Sequence, residues 1–276
     1  TPLRRPATAA TAAPSSRIEI HMDRRFTVDG LELAAHLAQP ADRNEGGRPG
    51  VVIAHGFPAE AGGGINSVAS FPQLADRIAT EHGWAALAYA SRGIGESEGD
   101  FSLAGWLRDL NGAIRHLRAS AEIDGLYLIG FGTGGALAIE AGAADPQVRG
   151  VAAVGAPADF EDWARYPRKL LVLANEMNLI RDRSFPALFD TWAEGLRSVR
   201  AADAASRLAP RELMVVHGSD DESVPVFDAR AVADGHGAAD LRIVQGAGHH
   251  LRHDPRAIAI LLGWLERQRS ALGRST

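Results

Sequence analysis

Leu126-Tyr-Leu-Ile-Gly-Phe-Gly-Thr-Gly-Gly-Ala-Leu-Ala-Ile-Glu140 decides how the rest of this chain is read. The apolar run at its start has the length and composition of a buried strand. The glycines at 130, 132 and 134 permit a sharp turn, and the alanine-rich run from Thr133 to Ala144 then reads as a helix packed closely on a sheet.

Working outward, the same grammar repeats on both sides. Gly50-Val-Val-Ile-Ala54 is a short continuous apolar run, as expected of a parallel strand covered on both faces. Val68 to His82 predicts a helix ending near Gly83, and Trp84 to Tyr89 the next strand. Leu103, Leu107, Leu110, Ile114 and Leu117 form a helical stripe over 103–119. Val148 to Val154, Leu213 to His217 and Leu241 to Val244 predict further strands, and helices are expected near Phe227 to Gly235 and over Pro255 to Leu272. Ahead of these units, Arg17 to Met22 alternates polar and apolar, Asp29-Gly30 is a hairpin turn signal, and Leu31 to Gln39 is the returning strand. A hairpin followed by strand–helix units implies one mostly parallel sheet with helices on both faces. The alternation breaks from Asp159 to Arg211, where Trp163, Phe185, Phe189 and Trp192 sit in a mostly helical stretch. These aromatics either line an apolar pocket or pack this stretch on the core.

Composition narrows the function classes. At 276 residues one large core is feasible without staples, and cysteine is absent, which removes disulfides, thiolate metal sites and cysteine nucleophiles. The net charge of −5 comes with no basic block, so nucleic acid is not an expected partner. No apolar run reaches the ~18 residues of a membrane helix. Residues 1–16 are Ala/Thr/Pro-rich without an apolar signal core and are expected to form a mobile tail, with a cytoplasmic location.

Ligand sites in open parallel sheets form beyond the carboxyl ends of the strands. Four loops there carry chemistry: His55-Gly-Phe-Pro58, Ser91 to Gly99, His217-Gly-Ser-Asp-Asp-Glu-Ser-Val-Pro225, and Gln245-Gly-Ala-Gly-His-His250. With the turn at 130–134, these motifs resemble the α/β-hydrolase superfamily, most nearly its bacterial esterase, lipase and serine-aminopeptidase-like group. The resemblance spans about residues 17–268. It implies an α/β-hydrolase fold over 17–272, with a short helical cap inserted at about 159–211. It also implies hydrolysis of an ester, amide or other acyl bond of a small molecule, with no cofactor.

The resemblance assigns roles residue by residue. The His-Gly-x-x-Asp-x-x-Val-Pro pattern makes Asp221, not Asp220, the acid, and the Gly-His pattern makes His249 the general base. Phe57 and Thr133 map to the two backbone N–H donors of an oxyanion hole. The nucleophile elbow is written Gly-x-Ser-x-Gly, and here Gly132 stands where the serine belongs. The string Gly95-Glu-Ser-Glu-Gly99 offers Ser97, but a glycine-rich loop precedes it instead of a strand, and Glu96 and Glu98 would oppose an alkoxide. A metal site from His249, His250 and His253 is a rival reading of the last loop.

Glycine at 132 leaves several functions open. The chain is a non-hydrolytic ligand-binding member of the family, or an enzyme in which Asp221 and His249 act as general base without a covalent intermediate. It is otherwise a serine hydrolase disabled at one engineered position, or a structural protein with a vestigial site. Oligomeric state and substrate identity are not legible.

Overall fold

A computed structural model describes residues 24–40, 48–58 and 65–273. The expected strand at Arg17–Met22 and the expected tail at 1–16 lie outside these residues. Strands β1 (Arg24–Val28) and β2 (Leu31–Ala38) form the hairpin around Asp29-Gly30. The strand leading into that turn is therefore Arg24–Val28. It was missed because only Phe26 and Val28 of its five residues face the core.

The remaining strands are β3 (Arg48–Ala54), β4 (Ala85–Tyr89), β5 (Ile123–Phe131), β6 (Val148–Val154), β7 (Glu212–Gly218) and β8 (Asp240–Val244). Among the described residues they make one eight-stranded sheet in the order β1-β2-β4-β3-β5-β6-β7-β8. The pairs β1–β2 and β2–β4 are antiparallel, and every later pair is parallel. The Asp-Gly turn accounts for the β1–β2 pair, since so tight a turn can join only antiparallel strands, whereas parallel neighbours need a longer crossover.

Two apolar layers cover the two faces. On one face, α1 (Ile65–His82) and α9 (Pro255–Leu272) bury Ile78, Trp84, Leu261 and Trp264 against Val51, Ile53 and Tyr127. On the other, α2 (Leu103–Ser120) and α3 (Thr133–Ala144) bury Trp106, Leu110 and Leu137 against Val52, Leu87 and Leu128. Helix α2 begins where Ser102 accepts from the Gly105 N–H at 3.1 Å, satisfying one otherwise unpaired donor.

Between β6 and β7 come α4 (Glu161–Arg165), α5 (Pro167–Glu176), α6 (Phe189–Glu194) and α7 (Ala201–Leu208). Helix α7 differs from the rest of this stretch. It packs against α3 and α8 (Val226–His236), so it belongs to the helical layer beside the sheet. The amphipathic spacing of Ala201, Ala204, Ala205 and Leu208 made it look like part of the insertion. The preceding segment is fastened to the body: Arg181 donates to the carbonyls of Gly93, Gly95 and Ser97 at 3.2, 2.8 and 3.1 Å. Asp100 accepts from the Arg181 and Asp182 N–H groups at 2.5 and 3.1 Å. Trp192 is buried and donates to the Phe101 carbonyl at 3.0 Å, so it packs rather than lining an opening. Trp163, Phe185 and Phe189 are half-buried against the core.

Candidate active site

The site is built on the carboxyl ends of β3, β5, β7 and β8. At the centre, β5 runs into α3 through Gly132, whose φ of 52° and ψ of −125° are strained for any residue carrying a Cβ. Its flanking glycines are fixed by close approach. A Cβ on Gly134 would lie 2.6 Å from the Ala54 carbonyl oxygen, and one on Gly130 would overlap the Gly134 carbonyl. At Gly132 itself the space is open. A Cβ there would lie 3.6 Å from Gly56 Cα, 3.6 Å from His249 Nε2 and 3.8 Å from His249 Cε1, which are ordinary contacts. Glycine at 132 is therefore not demanded by crowding.

His249 follows β8 and Asp221 follows β7. The His249 Nδ1 lies 2.9 Å from Asp221 Oδ2, which fixes the proton on Nδ1 and leaves Nε2 facing the elbow. The Asp221 side chain is fully buried, and that of His249 is 28% exposed, enough to meet a ligand. Asp221 Oδ1 accepts from the Ser223 and Val224 N–H groups at 2.9 and 2.8 Å. Burial opposes the charge on Asp221, but the hydrogen bonds from His249, Val224 and Ser223 outweigh it and hold its pKa below the ordinary value. Asp220 points elsewhere, with its Oδ1 2.6 Å from Ser219 Oγ.

The turn after β3 closes another side. Gly56 lies directly against the elbow, with Phe57 next in the chain. As the first residue of α3, Thr133 has an N–H with no acceptor inside its own helix. His55 is buried and neutral. Its Nδ1 lies 2.8 Å from the Gly56 carbonyl, and its Nε2 accepts from the Ser91 N–H at 3.0 Å. Burial pushes its pKa down to about 4. Its ring meets Trp106 edge-on at 5.0 Å, and the Phe57 ring meets Phe101 and Trp163 at 5.2 Å each.

Ser97 is fully buried, donating to the Ala90 carbonyl at 2.7 Å and accepting from the Ala34 N–H at 2.9 Å. The bonds tie its loop to β2 and to the end of β4, so this serine has a structural occupation. The same loop carries a buried ion pair. Arg92 Nη2 lies 2.7 Å from Asp109 Oδ1, Asp109 also accepts from the Arg92 N–H at 2.9 Å, and Trp106 donates to the Arg92 carbonyl at 3.0 Å. Sequence reading missed Asp109, because a lone aspartate within the polar positions of α2 looks like a solvated residue.

Of the three histidines in the rival metal reading, His249 is engaged with Asp221, and His253 Nε2 accepts from Arg252 Nε at 2.9 Å. Among the described residues, no group of three or more His, Cys, Asp or Glu is disposed to hold a metal ion. No helix among them is long and apolar enough to cross a membrane.

Known proteins share this fold. The chain is 37% identical over 65 residues to 2-hydroxymuconate semialdehyde hydrolase of Pseudomonas sp. (strain CF600), a match covering 24% of this chain and only 22% of that protein. Its fold is similar to Est1E from Butyrivibrio proteoclasticus, solved with ferulic acid bound (TM-score 0.70, 20% identity, 90% of this chain and 99% of that one). It is also similar to the α/β hydrolase GrgF from Penicillium sp. sh18 (TM-score 0.68, 22% identity, 90% and 98%). At these identities the two structures speak to the fold. Residues 48–188, just over half of the chain and including both the His55-Gly56 turn and the elbow, match the family model described as serine aminopeptidase, S33. On that match, and with the sheet order and loop positions described above, the chain belongs to the serine aminopeptidase S33 family of the α/β-hydrolases.

Proposed function

We propose that the chain hydrolyses an ester, amide or other acyl bond of a small molecule, with His249 as general base and Asp221 as its orienting acid. The observation that carries this reading is the aim of His249. With Nδ1 held by Asp221 at 2.9 Å, its Nε2 is 3.6 Å from the place a Cβ on Gly132 would occupy. A nucleophilic oxygen one bond beyond that position, on the His249 side, would come within hydrogen-bond reach of Nε2.

Gly132 cannot supply that oxygen, so in this reading water does. Its oxygen adds to the acyl carbon while its proton passes to His249 Nε2. The N–H groups of Phe57 and Thr133 receive the developing oxyanion, a contribution of about 10²–10³ in rate for one such donor. The tetrahedral adduct then collapses, His249 returns the proton to the leaving oxygen or nitrogen, and a carboxylic acid departs. Asp221 holds the imidazole in the tautomer that both steps need. The segment at about 159–200 is the cap of this site, with Trp163 and Phe57 on the wall between it and the elbow. A cytoplasmic location goes with this proposal and is checked by cell fractionation.

The test is p-nitrophenyl acyl ester hydrolysis by three proteins: the chain itself, Gly132→Ser and His249→Ala. The proposal expects slow turnover by the chain, lost in His249→Ala, and a gain of at least about a hundredfold in Gly132→Ser. Inactivity of the chain, with a large gain in Gly132→Ser, would show an intact site that binds without hydrolysing. Inactivity of all three would refute the acyl-bond reading for these esters.

A further inference from the structure

Of the buried histidines that take no part in the proposed steps, His217 lies against the carboxylate of Asp221. His217 is the penultimate residue of β7, its side chain is wholly buried, and among the described residues its Nδ1 has no hydrogen-bond partner. Its other nitrogen explains this. The His217 Nε2 lies 2.9 Å from the Val224 carbonyl, an acceptor only, so the proton must sit on Nε2 and Nδ1 is left a bare lone pair. A buried acceptor without a donor is unfavourable and calls for a compensating role.

That role follows from what else Nε2 faces. It lies 3.4 Å from Asp221 Oδ2, the oxygen that receives His249. Val224, whose carbonyl His217 holds, also donates its own N–H to Asp221 Oδ1 at 2.8 Å. The three residues close a ring. His217 grips Val224, Val224 grips one carboxylate oxygen, and the polar edge of His217 lies against the other. Asp221 rides on the loop after β7, whose Ser219 and Asp220 N–H groups are tied to the Val244 and Ala247 carbonyls at 3.1 and 3.0 Å, while the carboxylate itself is held by the ring. His217 is on a strand paired on both sides, so the ring transfers the strand's rigidity to the carboxylate.

We infer that His217 is a positioning residue, which sets the rotation of the Asp221 carboxylate and through it the tautomer and aim of His249. The inference rests on the reading of His249 and Asp221 as the acid–base pair. It adds a residue that touches neither substrate nor reacting atoms.

The experiment is proton and nitrogen NMR of the folded chain labelled with ¹⁵N at histidine, near neutral pH. The unaltered chain is expected to show the His217 proton on Nε2, and a far-downfield, exchange-protected His249 Nδ1 proton. His217→Met is expected to shift or lose that His249 resonance. His217→Gln, whose amide N–H groups reach the same Val224 carbonyl and Asp221 oxygen, is expected to keep it. A proton on His217 Nδ1, or an imidazolium there, overturns the inference without any variant, so a His217→Met protein that fails to fold does not shield it. It is also overturned if His217→Met leaves the His249 resonance unmoved, or if His217→Gln loses it as completely as His217→Met. If the unaltered chain has no His249–Asp221 bond, the acid–base reading itself fails. That failure is distinct, because the His217 tautomer is read from its own nitrogens.

Discussion

Adding side chains to the elbow should separate its three glycines sharply. At Gly132 a Cβ meets nothing nearer than 3.6 Å, so Gly132→Ser carries only the backbone strain of φ 52°, about 1–3 kcal/mol. Restricting the unfolded chain returns about 0.4–1 kcal/mol. The net loss expected is therefore at most about 2.6 kcal/mol. At Gly134 a Cβ falls 2.6 Å from the Ala54 carbonyl oxygen and 2.8 Å from its carbon. Both atoms belong to a central strand that cannot rotate away, so Gly134→Ala should reach or exceed the ~3 kcal/mol upper range of overpacking. Gly130→Ala should behave likewise, since its Cβ would overlap the Gly134 carbonyl. Urea unfolding of the chain and the three variants, monitored by far-UV circular dichroism, measures the order. A Gly132→Ser loss as large as that of Gly134→Ala would refute the claim that the elbow has room for a hydroxymethyl.

Other outcomes follow from the same geometry. Removing the Asp109 charge, as in Asp109→Ala, leaves the buried Arg92 with only the half-exposed Asp29 as counter-charge and should cost up to about 3–5 kcal/mol in urea unfolding. His55 is held neutral with a pKa of about 4, against 6.5 for an ordinary histidine. The unfolded chain therefore binds the extra proton between these values. Stability from this residue is complete above about pH 6.5 and falls by about 3 kcal/mol as pH drops to about 4. Urea titrations across that window, with the His55 ring followed by NMR, check the sign. Asp221 adds to acid sensitivity in the carboxylate range, because its lowered pKa favours the folded state above its unfolded value and that contribution is lost as pH falls. Ser97→Ala should lose about 1–3 kcal/mol by leaving the Ala34 N–H and Ala90 carbonyl unpaired, with no effect on ester turnover by Gly132→Ser.

Much of this arrangement was legible because its causes are local. The apolar runs at 50–54 and 148–154 have only one way to be buried, between two helical layers, and they form central parallel strands. The glycines at 130 and 134 announced a close crossing of strand and helix, and the atoms they spare are backbone atoms of β3 and α3. What stayed hidden depends on residues distant in sequence. Asp109 and Arg92 are 17 positions apart, and neither states from its own surroundings that both are buried. His217 stood in a quoted motif, yet its bond to Val224 appears only when the loop's path is known. Helix α7 carries the same alanine-rich pattern as a cap helix would, and only its contact with α3 and α8 places it beside the sheet.

The central claim is that His249, oriented by Asp221, is aimed at position 132 as a base waiting for an oxygen. Labelling of Gly132→Ser by a serine-directed fluorophosphonate, located by mass spectrometry, tests it most directly. The account predicts stoichiometric modification at position 132 that disappears in Gly132→Ser/His249→Ala. A folded Gly132→Ser protein that stays unlabelled, or that labels equally well without His249, would contradict it.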